Sequence, residues 1–522
     1  MEFYTPVAQI PAIVNGVRAT FASGRTRSRE WRMKQLRGCY KLIEENEAEI
    51  LDNLALDLKK RNRNEATFSE LMVSRNAAAI AIRNLDEWMK PRSGNPGNPF
   101  IFSTATTKVV PEPLGVVLVI SPWNFPWNLS MSPIVSALAA GNAIILKPSE
   151  ISSHCARLMA RLLPQYLDPE AVAVINGGVE ETTKLLEQKF DHIIYTGNGH
   201  VGKIVMAAAS KHLTPVTLEL GGKSPAIVTS EADVEIAANR IIWGKTTNCG
   251  QVCVAPDYIL VERPVAARFK ECLVKAIKNL HTSDPKSSGS FGRIINRRQY
   301  DRLTSVLAQQ LQKNPDSRLL HGGEQDPDDL YIGPTLIENV GLDPASNPIM
   351  ADEIFGPLLP IIEIDDWNDA VKYINSRDKP LALYVFTPNV KQAESILAQT
   401  SSGIFMHNEV LLNFLAENLP FGGVGASGFG RYGGIYGFEN FSHMRACVRQ
   451  PMALEHVWQF RYAAFMKDSP STSKVMHRIG SLSVPGFGAR LAQLLRRYVN
   501  WKTTVAAGLI VAAWLLGRYT RP

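Results

Sequence analysis

From Val109 onward this chain alternates short apolar runs with stretches of helical spacing, and that alternation restricts its fold more than any other feature. The runs GVVLVIS, NAIILKP, AVAVIN and HIIYT are separated by predicted helices around residues 134–140, 155–166 and 182–188. Strands that alternate with helices pair in parallel within a doubly wound sheet. A second region of the same kind opens at Ser224 with AIVTS. It continues through YILVERP, IGPTLIE, LPIIEI and ALYVFTP to GIFMH, near Phe405. The expectation is an α/β chain with two such domains.

The flanks differ. Apolar residues recur at three and four across residues 13–90, which predicts helices, and the breaker-rich PRSGNPGNPF ends them. Residues 419–449 are glycine-rich and then strand-like. Nine of the 56 Lys/Arg but one of the 49 acids fall within residues 467–522, so the body is about neutral and the tail about +8. A neutral body gives no reason to expect nucleic acid, whereas a basic tail beside an apolar run points to anionic lipid. That run, residues 503–517, spans roughly 22 Å as a helix, short of a ~30 Å hydrocarbon core. Trp501 and Lys502 before it and Arg518, Tyr519 and Arg521 after it suit a membrane interface, and ARLAQLLRRYVN upstream has the pattern of an interfacial helix. The expectation is a C-terminal membrane anchor. The six cysteines are scattered, and MEFYTPVAQIPAIV has no basic region followed by an apolar core, so reduced thiols and cytosol-facing synthesis are expected.

GNGHVG, residues 197–202, follows the strand HIIYT and precedes a helical stretch, as a G-x-G-x-x-G phosphate turn would. GVGASG, residues 423–428, fits the same template without that context, which shows how weak the template is alone. Taken literally, the first turn would hand Glu219 to a ribose.

Seven motifs decide what the glycines leave open. GVVLVISPWNFPWNL, ILKPSE, YTGNGHVG, TLELGGKSP, GQVCVAPDY, EIFGP and LPFGGVGASGFGRYGG occur in that order. Together they resemble the aldehyde dehydrogenase superfamily over roughly residues 10–450, and GQVCVAPDY with the lipophilic tail resembles its class 3 or fatty aldehyde branch. QFRYAAF, residues 459–465, departs from a stretch that often contains prolines in that family. The resemblance implies a variant Rossmann NAD-binding domain over residues 1–220, with bridging strands near 95–112. It implies a catalytic domain over 221–414, a bridging and oligomerisation segment over 415–450, a tail over 451–502 and the anchor over 503–517. A homodimer with a strand near residues 440–449 at its interface is implied as well.

The same resemblance makes Cys253 the nucleophile. A thiolate adds readily to a carbonyl, and the adduct can lose hydride to become a thioester. It assigns the oxyanion to the side-chain amide of Asn124 with the backbone N–H of Cys253, and it makes Glu219 the base that activates water against the thioester. Gly221 and Gly222 would let backbone and cofactor approach closely. Lys147 and Glu150 resemble groups that meet the adenosine ribose, so NAD is expected, with NADP possible. Glu353 resembles the ligand of the nicotinamide ribose, and Phe355 packs near the nicotinamide. In the phosphate turn the spacing of Gly197 and Gly202 matters and Gly199 between them is incidental. Cys249 reads as a small buried filler or as a thiol that pairs with Cys253; two cysteines without nearby His make no zinc site, and no metal is expected.

The expected activity is NAD-dependent oxidation of a lipophilic aldehyde, a long-chain fatty aldehyde foremost, by an enzyme anchored to the mitochondrial outer membrane or the endoplasmic reticulum with its body in the cytosol. An apocarotenoid aldehyde is the alternative substrate. An acylating, coenzyme A-dependent enzyme conflicts with Glu219, and a tethered non-catalytic scaffold conflicts with an undamaged thiol, base and oxyanion donor.

Overall fold

The computed structural model describes residues 3–59, 61–94, 105–416 and 418–452, with Glu455, Tyr462, Ser473 and His477 beyond them. The chain divides into two units, residues 1–89 with 111–443 and residues 90–110 with 444–522.

In the first unit the apolar runs become two sheets. One contains β1 (Val116–Ile120), β2 (Ala143–Lys147), β3 (Val172–Val174), β4 (His192–Gly197) and β5 (Val216–Leu220). All residues of β1 and β2 are buried, as expected of central strands covered by helices on both faces. These five run in the order β5-β4-β1-β2-β3, all parallel, with Val116 opposite Ala143 and Val117 opposite His192, and residues 428–429 add a short antiparallel strand at the β5 edge. The second sheet contains β6 (Pro225–Val228), β7 (Tyr258–Glu262), β8 (Arg318–His321), β9 (Thr335–Glu338), β10 (Leu358–Ile364), β11 (Ala382–Phe386) and β12 (Ile404–His407). Its order is β8-β9-β10-β7-β6-β11-β12, parallel except for the antiparallel edge strand β8. The expected α/β architecture with two parallel sheets is the one observed.

Helices Ile10–Ala22, Arg29–Glu45, Glu47–Asp57 and Val73–Met89 occupy the N-terminal stretch where helices were expected, and a π-helical turn, Thr67–Met72, leads into the last. The helix expected over residues 134–140 begins earlier, at Asn128. Every residue of it is buried, so it has no polar face to give a 3.6-residue period. Its polar side chains are satisfied inside: Ser132 donates to Asn128 Oδ1 at 2.9 Å, and Ser136 to the Ser132 carbonyl at 3.0 Å. IGPTLIE is not one strand. Gly333 and Pro334 divide it into Tyr331–Ile332, which forms a small hairpin with Gln325–Asp326, and β9. β8 has no apolar run to announce it and was not expected.

In the second unit Arg92–Ser93 pairs antiparallel with Thr106–Pro113, and Ser442–Arg449 completes a three-stranded sheet. The bridging strands expected near 95–112 correspond to the second of these, residues 95–104 lying outside the described part. The tail helix and the apolar run at 503–517 also lie outside the described residues. No described helix is long and apolar enough to cross a membrane.

Candidate active site

In the first sheet β1 and β4 are neighbours whose connections leave in opposite directions, and ligands of such sheets lie outside the carboxyl ends at that switch point. The chain places its motifs there. β1 leads into Trp123 and Asn124, β2 ends at Lys147, β4 ends at Gly197, and β5 carries Glu219. The second sheet faces the same space with the amino ends of its strands. Lys223 precedes β6, Cys253 precedes β7, Glu353 and Phe355 precede β10, and Lys379 precedes β11. Together they line a cleft of about 1350 Å³.

One half of the cleft has the chemistry of a dinucleotide site. Asn198 caps the helix Gly199–Ser210 by accepting from the Val201 N–H at 3.0 Å, leaving the first-turn N–H groups that attract phosphate. A Cβ on Gly197 would lie 2.2 Å from the Tyr195 hydroxyl, so a side chain here would displace the Tyr195 ring. Gly199 faces open space. Gly202 does not reach the cleft. It is buried where a Cβ would stand 3.0 Å from Leu220, and it sets the close packing of helix on strand. Lys147 Nζ donates to Glu150 Oε2 at 2.9 Å at the rim.

Glu353 stands deeper. Its Oε1 is buried with no protein partner, and burial with the charge of Asp257 pushes its carboxyl up to about 8 against the opposing Gly222 N–H, Lys223 and Lys245. A Cβ on Gly221 would lie 2.1 Å from Glu353 Oε2, so this glycine makes room for the carboxylate rather than for a cofactor alone. Phe355 holds a left-handed backbone, φ +51°, and meets Trp123 edge-on with ring centroids 5.6 Å apart. Trp123 in SPWNFP was not expected at the site.

The other half gathers the thiol, carboxyl and amide. Three consecutive left-handed residues, Asn248, Cys249 and Gly250, bend the chain into the turn that leads to Cys253. Burial, with the carboxyls of Glu353 and Glu219, pushes the Cys253 thiol up to about 12, while the N–H groups of Cys253 and Val254 oppose the shift. Glu219 is buried with neither oxygen hydrogen-bonded to protein, and burial raises its carboxyl well above the usual range. Such a group costs stability and is kept where chemistry uses it. Gly428 and Glu219 are register partners, because residues 428–429 add an antiparallel strand to β5. The second glycine match, residues 423–428, is thus a docking edge and not a phosphate turn. Asn124 Nδ2 donates to the Gln251 carbonyl at 3.0 Å, which fixes the amide plane and leaves its second N–H for a ligand.

Cys253 also lines a second, narrow cavity of about 80 Å³. Its walls are chiefly apolar and aromatic, with Trp88, Phe125, Leu129, Phe414, Phe421 and Tyr432 among them. Among the described residues, only Cys253 and Leu129 are shared between cleft and cavity. Cys249 faces elsewhere. Side chains alternate across the second sheet, Ala226 and Val228 on one face, Ile227 on the other. Cys253 packs with the first face, whereas Cys249 is buried in the second with Tyr258, Phe291 and Tyr331. Its place is that of the buried filler.

The sequence model of the aldehyde dehydrogenase family matches residues 5–447. Aldehyde dehydrogenase family 3 member A2 of Mus musculus is 44% identical over 458 residues, 88% of this chain and 92% of that protein. The aldehyde dehydrogenase of the same organism described as dimeric and NADP-preferring is 45% identical, over 87% of this chain and 98% of its own. Among solved structures, the substrate-bound state of Staphylococcus aureus AldH superposes with a TM-score of 0.84 at 37% identity, covering 90% of this chain and 99% of that one. Fold, cleft and these likenesses agree: the chain belongs to the aldehyde dehydrogenase family, as an NAD(P)-dependent aldehyde dehydrogenase of the class 3 branch.

Proposed function

We propose that this enzyme oxidises a lipophilic, long-chain aldehyde to its carboxylate through Cys253 while tethered to a membrane by its tail. The observation that carries the proposal is that Cys253 lies where the large cleft that carries the dinucleotide-type residues meets a narrow, chiefly apolar cavity. An alkyl chain in the cavity brings its aldehyde carbon to the thiol, while the cofactor occupies the cleft. The cavity recovers roughly 0.8 kcal/mol for each CH₂ it removes from water, which favours long substrates.

The residues of the cleft suit NAD. The helix N-terminus at Gly199 receives phosphate, the Lys147 and Glu150 pair the adenosine ribose, and Glu353 the nicotinamide ribose, with Phe355 and Trp123 beside it. Glu150 disfavours a 2′-phosphate by charge, so NAD is preferred and NADP tolerated. When bound, the nicotinamide supplies a hydride acceptor that converts a thiohemiacetal on Cys253 into a thioester. The chain's own groups do the rest. Cys253 gives up its proton to water and forms a bond from Sγ to the aldehyde carbon. The resulting oxyanion is met by the second N–H of Asn124 and by the Cys253 backbone N–H. After oxidation Glu219, its pKa raised by burial, takes a proton from water. The hydroxide adds to the thioester, the carbon–sulfur bond breaks, and thiolate and acid separate.

Residues 1–220 and 221–414 are read as cofactor and catalytic domains, and Ser442–Arg449 as part of a homodimer interface, in keeping with the word dimeric in the name of the Mus musculus relative. The basic, aromatic-flanked run at 503–517 supports anchoring to the mitochondrial outer membrane or the endoplasmic reticulum. The aromatic lining of the cavity also favours a second reading, a rigid conjugated apocarotenal. Specificity constants for hexadecanal, an apocarotenal and propanal, with free acid as product and Cys253→Ala as control, test the proposal. Preference for propanal, or activity retained without the thiol, would overturn it. Co-sedimentation with anionic vesicles, with and without residues 467–522, tests the tether.

A further inference from the structure

Behind Asn124 the structure holds a group of buried charges that the chemistry above does not use. Glu70 lies in the π-helical turn Thr67–Met72, a geometry that recurs at functional sites, and is fully buried. Its Oε2 accepts from the backbone N–H groups of Trp127, at 3.1 Å, and Asn128, at 2.9 Å. These are the first donors of the helix that follows Asn124. Its Oε1 accepts from Arg61 Nη1 at 2.9 Å.

Arg61 is equally buried and spends its guanidinium on the same neighbourhood. Nε donates to Glu65 Oε1 at 2.9 Å and Nη2 to the Ser69 hydroxyl at 2.7 Å, while the group lies 4.7 Å over the Phe125 ring. Glu65 Oε1 then accepts from the backbone N–H of Asn248 at 3.0 Å. The circuit closes through Asn248 Nδ2, which donates to the Asn124 carbonyl at 2.9 Å. One carboxylate thus grips the segment that carries the amide, another grips the segment that carries the thiol, and Arg61 ties the two carboxylates together. The thiol segment needs such a grip, because left-handed Asn248 and Cys249 persist only where their surroundings fix them.

We propose that Glu70, through Arg61 and Glu65, is a positioning residue that sets the Asn124 amide against Cys253 for oxyanion binding. The proposal rests on the reading of Asn124 as the oxyanion donor. A ligating group displaced by about 1 Å can lose about 10²-fold in rate, so small slack in this clamp is costly to catalysis.

The test is a double-mutant cycle on the full-length enzyme, read by the single-turnover rate of cofactor reduction with a saturating aldehyde. Asn124→Ala should lose about 10²-fold or more. Glu70→Gln keeps the shape, but its amide cannot accept from Arg61 and both N–H groups at once. It should lose about tenfold to 10²-fold in that rate, with the KM for NAD and the alkylation rate of Cys253 unchanged. Placed on Asn124→Ala, it should cost almost nothing further, since its effect passes through an amide that is no longer there. A purely structural ion pair would lower the thermal midpoint and leave the rate alone. Wild-type rate in Glu70→Gln with Asn124→Ala slow, or losses that multiply in the double variant, would overturn the clamp alone. Wild-type rate in Asn124→Ala would remove the oxyanion assignment, and the clamp with it. Should Glu70→Gln fail to fold, Glu70→Asp, which keeps the charge but shortens the reach to Arg61 and the two N–H groups, enters the same cycle with the same expected loss and the same non-additivity.

Discussion

Gly221 and Glu353 occupy one space: a Cβ on the glycine would lie 2.1 Å from Oε2 of the glutamate. The glycine is therefore the condition for the carboxylate's position, although 132 residues separate them in the chain.

Gly221→Ala should fold and bind cofactor poorly. The atom it meets is the free end of a side chain, so Glu353 moves aside without backbone strain. On the proposed reading of Glu353 as the nicotinamide-ribose ligand, its displacement should raise the KM for NAD about tenfold, about 1.4 kcal/mol, with the thermal midpoint nearly unchanged. Steady-state kinetics beside a melting curve checks this. A collapsed midpoint with normal KM would mean that the glycine serves packing and not Glu353.

The Cys253 thiol titrates high because it is buried and because Glu353 and Glu219 lie near it. Negative neighbours disfavour a thiolate, so neutralising one lowers the thiol pKa and enlarges the thiolate fraction at any pH below it. Glu353→Gln should therefore be alkylated by iodoacetamide faster than the native enzyme at about pH 9.5, where the Glu353 carboxyl, held up to about 8, is ionised, by about three- to tenfold for a shift of roughly half to one unit. Between about pH 7 and 9 the variant's rate should climb about tenfold per pH unit, its thiol being still far from half-ionised, whereas the native rate climbs less steeply because Glu353 gains its charge in that range. An unchanged or slower rate in the variant would show that Glu353 does not act on the thiol.

These residues also mark what was legible in advance. GVVLVIS and ILKPSE were readable as strand and turn because their apolar runs are continuous and their ends polar. The strands they form lie in a parallel sheet as expected, whereas the strand order and the switch point between β1 and β4 come from the structure. Seven ordered motifs sufficed to place Cys253, Glu219, Asn124 and Glu353 on one cleft. Gly202 was assigned to the cofactor because its spacing fits a turn, yet spacing does not say whether a glycine meets a ligand or a leucine beneath it. The first turn of Asn128–Ala140 was invisible because a helix buried all round has no period. Arg61 and Glu70 stand in the stretch of helical spacing over residues 13–90, and nothing in that spacing singled them out. Their partners, Trp127, Asn128 and, through Glu65, Asn248, lie more than 50 residues away, and no local pattern reports such a pairing.

Glu219→Gln should separate acylation from hydrolysis. The amide can take no proton from water, so the first turnover should still reduce cofactor while steady turnover falls by about 10²-fold or more. Intact-mass spectrometry should then find the acyl group on Cys253. Burial raises the Glu219 carboxyl, so its basic form grows as pH rises. Steady turnover of the native enzyme should rise with pH over that titration, and the variant should lack that rise. A variant with neither adduct nor altered pH profile would leave Glu219 without its role.

Ala77 lines the narrow cavity from the helix Val73–Met89, is not among the residues that line the cofactor cleft, and is almost fully buried. Ala77→Leu adds three carbons to the wall of a passage of only about 80 Å³ and leaves Cys253, Asn124 and Glu219 untouched. If alkyl chains thread this cavity, kcat/KM for hexadecanal should fall about 10- to 200-fold, the usual range for a methylene misfit in an apolar pocket, while propanal, too short to reach the obstruction, keeps its rate. The substitution itself should cost about 1–3 kcal/mol of stability, enough to see in a melting curve and too little to unfold a domain of this size. The discriminating quantity is the ratio of the two specificity constants, because a general loss of fold lowers both together. An unchanged ratio would move the substrate's chain out of this cavity and take with it the structural argument for a lipophilic aldehyde.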